Sequence, residues 1–476
     1  MPSHRALLPR STPAASGVSS RAVAALLDRL EERSVECHSI MVVRHGHVVA
    51  EGWWAPYSAG RPHLLYSVTK SFTSVAVGLA IADGLLSLDD RVVDVLPDHV
   101  PAGVSAQARR LTVHHLLSMT AGYRTDSLGE AWRLEPGDLV KGFLRIPFTD
   151  PEGTRHTYDN ATTYVLARMV ERVTGLGLPE LLDERLFEPM GVDHAEWDRV
   201  ASGAAFGFHG LHLTTEAVAA FAELLLRGGV RGDRRLVPAA WIELATRRHA
   251  DPLPPEDMPG DADFLDGYGY QFWTSPHGFH GVGSFGQQFV VAPSHDLVVV
   301  LTGAHHQEQG VLDAIWECLL PGLDRADSAG DDEELAARLR GLSFAPVPGT
   351  AEPGRPVEAR LDASAEGSPL PEGSTVAAEP VDGGWLLRLG ASLVVEAGHG
   401  GWRESAPLGR PVVASAAWQG DTFVADVYVI TTPHRVRLVV DAVARTAVAA
   451  WNIVPLTGPS LEVHVRSPLM TRPDVA

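Results

Sequence analysis

Apolar positions along the chain fall into short periodic segments, and the period changes from helical to alternating and back. Residues 19–35 (SSRAVAALLDRLEERSV) carry apolar side chains at helical spacing, with Ser19 or Ser20 placed to cap the first turn. The next stretch, SIMVVRHGHVVAEGWW, alternates, which predicts two strands joined through a His45-Gly46-His47 turn. SFTSVAVGLAIA, from residue 71, is apolar nearly all round and predicts a buried helix beginning near Ser67. LTVHHLLSMTAGY reads as a short helix ending at Gly122. NATTYVLARMVERVTG reads as an amphipathic helix stopped by Gly175, and TTEAVAAFAELLLRGG as one stopped by a glycine pair. Beyond GYGYQFW come two β-prone runs, QQFVVAP and DLVVVLTG, then a helix, EQGVLDAIWECLL. Two early strands, a mainly helical middle and late strands predict an α+β domain. Its antiparallel sheet joins the early and late strands and is flanked by helices.

Residues 323–356 shift to Asp, Gly and Pro and read as a linker with one short helix. From 357 onward, strands of regular length separated by turn signals predict a β-barrel or β-sandwich of about 120 residues. The expected division is therefore 1–322, 323–356 and 357–476, in keeping with a chain of 476 residues. Hydrophobic content of 45% with 21% charged residues is that of a globular protein. A formal net charge of −20 argues against nucleic acid or an anionic membrane as partner, since both select basic patches. The first thirty residues hold no uninterrupted apolar core of signal-peptide length, and no segment is long enough to span a bilayer. A cytoplasmic location is the expectation. Cys37 and Cys318 are too few for a disulfide framework and are expected to be reduced.

The choice of cation sharpens the picture. Of 39 Lys plus Arg, only Lys70 and Lys141 are lysines. Lys70 stands three residues after Ser67, and residues three apart share a helix face. Burial and the positive end of the helix dipole both disfavour its ammonium form. A lysine so placed is partly neutral near pH 7 and can take a proton from a serine hydroxyl, which arginine cannot. In the competing reading Ser67 is an ordinary N-cap and Lys70 a snorkelling surface residue. Ser-x-x-Lys alone is a weak motif; the scarcity of lysine and the apolar helix favour chemistry.

A Ser–Lys nucleophile needs a second proton handler and donors for an oxyanion. Tyr158, in TYDN just before a predicted helix, is a candidate for the first, its pKa expected to fall beside a lysine ammonium. Asn160 can orient Lys70 and a substrate carbonyl. Taken singly, Tyr158 also reads as a core aromatic and Asn160 as an N-cap. In SPHGFHGVGSFGQQ, glycines at 278, 281, 283 and 286 beside a strand allow close backbone approach and leave N–H groups free. One such amide, with the Ser67 N–H, would form the oxyanion hole. His277 and His280 are the polar candidates here.

These three elements in this order resemble the serine penicillin-recognising enzymes: class C β-lactamases, D-Ala-D-Ala carboxypeptidases, β-lactamase-like (family VIII) esterases and 6-aminohexanoate-dimer hydrolases. LLYSVTKSFTSVAVGLAIADGLLSLDD is similar to their nucleophile helix. YDNATTYVLARMVERVTG is similar to their Tyr-x-Asn segment, and GSFGQQFVVAPSHDLVVVLTG to their later strands. The resemblance covers about residues 20–322. It implies a β-lactamase/transpeptidase-like fold with an all-helical subdomain. It further implies Ser67 as acylated nucleophile, Lys70 as its base, Tyr158 as second acid/base and Asn160 as positioning residue. The family's third motif is Lys-Thr-Gly or His-Thr-Gly, whereas this chain has His280-Gly281-Val282-Gly283-Ser284. His280, Gly281, Gly283 and Ser284 are the expected substrate-positioning residues, with His280 ahead of His277. The missing lysine argues against efficient penicillin hydrolysis.

No cofactor is implied. The pairs His45/His47, His114/His115, His209/His212 and His305/His306 lack carboxylates at metal-ligand spacing, so no metal is expected. The expected reaction is acyl transfer from an amide, ester or thioester of a small molecule or peptide, free or carried on a protein, to water or an amine. Stand-alone penicillin-binding-protein-type peptide cyclases of antibiotic biosynthesis resemble the layout, with a lipocalin-like β-domain after the catalytic one. A catalytically silent relative that binds a peptide or β-lactam is the alternative of another class.

Overall fold

The structure, a computed structural model, describes residues 6–200, 202–252, 262–325, 327–352, 354–362 and 367–467, and the backbone of 470–471. The chain forms two compact units, Met1–Gly52 with Leu65–Arg340, and Trp53–Leu64 with Gly341–Ala476. The Asp/Gly/Pro-rich segment 323–356 is thus shared between them. Its helix, Ala329–Arg340, belongs to the first unit and buries Leu335 and Leu339. The excursion 53–64 belongs to the second, where Tyr57 packs among Val413, Tyr428, Ile430, Phe344 and Trp402.

In the first unit, strands β1 (Cys37–Arg44) and β2 (His47–Trp53) join β3 (Gly267–Tyr268), β4 (Trp273–Ser275), β5 (Gly278–Gly283), β6 (Gln287–Ala292) and β7 (Leu297–Gly303). The sheet runs in the order β2-β1-β7-β6-β5-β4-β3. β1 and β7 pair antiparallel with Met41 opposite Val300, so early and late strands of the first unit meet within the sheet. All eight residues of β1 and all seven of β7 are buried, so neither face is left to water, which accounts for the apolar runs Ile40 to Val43 and Leu297 to Leu301 within them.

The helices follow their sequence signals closely. Helix α1 (Ser20–Glu32) is capped by the Ser19 side chain, which accepts from Ala22 N. Helix α2 (Thr69–Ala82) is buried from Thr69 to Ala80. Helix α3 (Asn160–Thr174) ends at Gly175 with φ +72°, and α4 (Thr215–Leu226) packs on β1, β6 and β7. Phe72 of α2 stacks on Phe221 of α4 with centroids 3.9 Å apart, which fixes α2 against the sheet's helical cover. Among the described residues, no helix is long and apolar enough to cross a membrane.

The second unit is a closed barrel of eight strands. Strands β8 (Val357–Leu361), β9 (Thr375–Val381), β10 (Gly384–Leu389) and β11 (Leu393–Gly398) form one antiparallel meander. After a short β12 (Arg403–Ser405), β13 (Val412–Gln419), β14 (Thr422–Tyr428), β15 (Arg435–Asp441) and β16 (Thr446–Trp451) form another. Parallel pairings close the ring, β8 with β16 and, at Gly398 and Ser415, β11 with β13. Side chains alternate in and out, and Trp385, Leu387, Trp418, Phe423 and Leu438 fill the interior.

Candidate active site

Ser67 lies in a single 3-10 turn, Tyr66–Val68, immediately before α2. Tyr66 holds φ +47°, a left-handed conformation that costs a bulky residue about 1–3 kcal/mol. Its buried ring is fixed edge-on against Phe285 with centroids 5.1 Å apart. One helical turn on, Lys70 is 1% exposed. Its Nζ lies 2.7 Å from Ser67 Oγ, 2.6 Å from Asn160 Oδ1 and 3.1 Å from the Phe208 carbonyl oxygen. Burial lowers its pKa to about 7, against the raising influence of Asp126 and Asp159.

Asn160 is the first residue of α3, and the N-cap is Asp159. Asp126 sets the Asn160 amide: Asn160 Nδ2 donates to Asp126 Oδ2 at 2.6 Å and its backbone N–H to Asp126 Oδ1 at 3.0 Å. The Asn160 carbonyl oxygen is thereby turned toward Lys70. Asp159 accepts from Ala161 N, Ser127 N and Ser127 Oγ, and burial beside Asp126 holds its carboxyl well above the usual range.

Tyr158 presents its ring face to Lys70, with Nζ 4.8 Å from the centroid, and stacks on Trp273 at 5.8 Å and 8°. Burial pushes its phenol above the ordinary tyrosine value, outweighing the lowering by the hydrogen-bonded Ser67 hydroxyl. The expected fall in this pKa is therefore reversed. Burial decides the direction, and the phenol keeps its proton at neutral pH.

Ser67 and Tyr158 open on a cavity of about 760 Å³ that Trp273, Phe264, Val282 and Ser284 also line. A Cβ built on Gly283 would lie 2.1 Å from the Leu65 carbonyl oxygen and 3.1 Å from Ser67 N, so β5 runs flush against the turn that carries Ser67. Only glycine permits this approach. Gly283→Ala is expected to destabilise the protein by about 1–3 kcal/mol, the scale of overpacking against backbone. Gly129→Ala, where a Cβ meets nothing within 4 Å, should be neutral or slightly stabilising; denaturant midpoints of the two variants check the contrast.

The third motif departs further from expectation. The His280 ring is fully buried beside Phe264, with centroids 5.3 Å apart, and does not line the cavity. Burial lowers its pKa to about 4, so it is neutral. His277 stacks near Trp316, also away from the cavity. Gly281 faces inward, where a Cβ would strike the Phe289 ring at 2.2 Å. The strand residues that reach the cavity are Val282 and Ser284.

Of the paired histidines, only His306 lines the cavity. A three-donor cluster does form among the described residues. Glu196, Asp198 and His212 bring ligand atoms within 4.8 Å of one another, because the strand carrying Glu196 pairs with the one carrying His212. Spacing along the chain does not reveal it, and none of the three lines the cavity. Both cysteines are free. Of the acidic stretch 249–267, Pro252, Phe264 and Leu265 line the cavity, while 253–261 fall outside the described residues.

Comparisons with known proteins give the family. A Beta-lactamase family model matches residues 22–314. The 6-aminohexanoate-dimer hydrolase of Paenarthrobacter ureafaciens is 26% identical over 309 residues, covering 61% of this chain and 79% of its own. Esterase EstB of Burkholderia gladioli is 30% identical over 209 residues, covering 38% of this chain and 53% of its own. In fold, the chain matches the octameric penicillin-binding protein homologue from Pyrococcus abyssi with a TM-score of 0.50 at 16% identity. That match covers 88% of this chain and 95% of the homologue. The chain belongs to the Beta-lactamase family and is a serine hydrolase of that superfamily.

Proposed function

We propose that the protein is an acyl-enzyme catalyst working on an amide, ester or thioester of a small molecule or peptide. The observation that carries this is the buried Lys70 amine, 2.7 Å from the Ser67 hydroxyl and with a pKa lowered to about 7. Neutral Lys70 takes the Ser67 proton as Oγ attacks the carbonyl carbon. The oxyanion that forms is met by the Ser67 N–H and by the N–H of Ser284, where β5 abuts the nucleophile turn. As the tetrahedral intermediate collapses, Tyr158 donates its proton to the departing group, and the Lys70 ammonium restores it. The acyl-serine then passes its acyl group to an acceptor deprotonated by the same pair in reverse. The relatives' names, a dimer hydrolase and an esterase, support amides or esters with water as acceptor. Gly281-Val282-Gly283 offers no cation, so a substrate carboxylate would find no charged partner on the third strand itself.

A fluorophosphonate probe tests the reading. It should label Ser67 stoichiometrically, at a rate that rises with pH through about 7 as the Lys70 ammonium deprotonates. Correctly folded protein that resists the probe at every pH would instead be a binding protein for a peptide or β-lactam. The closed barrel after the catalytic unit favours a second reading in which the acceptor is an amine, as in a peptide cyclase or transacylase. A peptidyl thioester separates the two: linear acid as the main product supports the hydrolase, cyclic product the transferase.

A further inference from the structure

Five charged or chargeable side chains line the cavity besides the catalytic set: Arg124, Arg155, His156, His306 and Glu308. Arg124 is spoken for, since its Nε and one terminal nitrogen meet the two oxygens of Asp150 at 2.8 and 3.0 Å. Arg155 differs. Among the described residues it makes no hydrogen bond and no ion pair, and its Nε is buried without a partner. An arginine carries five N–H donors in a planar fork that fits a carboxylate through two parallel bonds. The terminal nitrogens are not buried in this way and are the donors a ligand would meet; Asp150, held by Arg124, adds its charge nearby but makes no ion pair with Arg155 among the described residues. Its surroundings sharpen the case. His156, next in the chain and also lining the cavity, is buried and neutral, its pKa lowered to about 4. Burial likewise pushes the Glu308 carboxyl toward its neutral form. Trp273, Phe264 and Val282 offer no charge. The third strand supplies no cation, so an anion entering this cavity has Arg155 as its available fork.

We propose that Arg155 forms an anion subsite that binds a carboxylate of the substrate while Ser67 attacks its carbonyl. The inference rests on the acyl-enzyme reading above and adds the substrate class, an acyl donor bearing a free carboxylate. Arg155 is a specificity-determining residue, and its effect falls on KM more than on kcat.

Two ester series carry the test, run with the full-length protein. In one, p-nitrophenyl esters of ω-carboxy acids of increasing length are compared with their neutral ω-methyl esters, which puts the carboxylate on the acyl side. In the other, acyl thioesters of 3-mercaptopropionate are compared with those of its methyl ester, which puts it on the departing side. In one of the two series the wild type should favour the carboxylate by about tenfold to a hundredfold in kcat/KM, the scale of hydrogen bonding to a charged group. The preference should shrink as ionic strength rises. Arg155→Gln should collapse the ratio to within about threefold, and Arg155→Lys should keep part of it, as a point charge without the fork does. A general defect lowers both members of a pair and leaves the ratio intact. Neutral esters turned over with no carboxylate preference in either series, or a preference that survives Arg155→Gln, overturns the subsite while the acyl-enzyme reading stands. Where the glutamine variant does not fold, a wild-type preference indifferent to salt overturns it equally. Failure to turn over any ester overturns the acyl-enzyme reading, and the subsite with it.

Discussion

Lys70→Arg is expected to lower the acylation rate of Ser67 by at least about a thousandfold while leaving the fold intact. The position demands a nitrogen that gives up its proton near neutral pH. Lysine does so here because burial lowers its pKa to about 7, whereas a guanidinium stays protonated in any protein site. Loss of a general base alone typically removes two to four orders of magnitude. Arginine also places a wider, permanently charged head against Ser67 Oγ, Asn160 Oδ1 and the Phe208 carbonyl, which fixes the serine proton in place. The companion variant Lys70→Met separates chemistry from stability. The wild-type lysine has a folded pKa below its unfolded value of about 10.4, so between about pH 7 and 10.4 the unfolded chain binds the proton that the native state has released. Stability therefore rises with pH across that window, and below it the full cost of holding a buried ammonium is present. A shift of this size corresponds to about 5 kcal/mol. Lys70→Met should be inactive yet more stable than wild type at pH 6, by up to about that amount, less what the two stranded oxygens of Asn160 and Phe208 cost. Its advantage should fade above about pH 10. Fluorophosphonate labelling gives the rate, and denaturation midpoints at pH 6 and 10 give the stability difference.

Several parts of this arrangement were legible before any coordinates. The Ser19 cap, the Gly175 stop and the meeting of early and late strands follow from local rules: side-chain capping, left-handed glycine and period-two alternation. The Ser67–Lys70 contact follows from helix geometry once the lysine is seen to be rare. What escaped the sequence depends on tertiary proximity. Asp126 lies 34 residues before Asn160 in a stretch with no motif, and only the packing of its turn against the start of α3 gives it a role. Trp273 reads as an ordinary β-prone aromatic until it is found stacked on Tyr158. Within the third motif, Ser284 lines the cavity and His280 does not. His280 is singled out by the resemblance to the family's third motif, and its position relative to Phe264, which buries the ring and keeps it neutral, is a tertiary contact that the motif does not carry. The excursion 53–64 joins the barrel unit through Tyr57, a long-range contact that no local pattern announces.

Tyr158→Phe is expected to reduce turnover of amides and alkyl esters by at least about a hundredfold, with KM changed by no more than a few-fold. The phenol is raised above its ordinary pKa by burial, so it remains protonated across the neutral range and is suited to donate rather than to accept in the first step. Phenylalanine keeps the ring that stacks on Trp273 and faces Lys70, and removes only the hydroxyl. Structural and catalytic roles then diverge on the leaving group. A p-nitrophenolate departs without needing a proton, so acylation by p-nitrophenyl esters should survive the substitution to within about tenfold. Amide and alkyl ester cleavage, whose departing nitrogen or oxygen must be protonated, should collapse. If both substrate classes fall together, the hydroxyl serves a step common to both, such as holding Ser67 in place, and the proton for the departing group must come from elsewhere. If neither falls, the Lys70 ammonium serves the departing group directly, since it is the only other acid the structure places on Ser67 Oγ among the described residues.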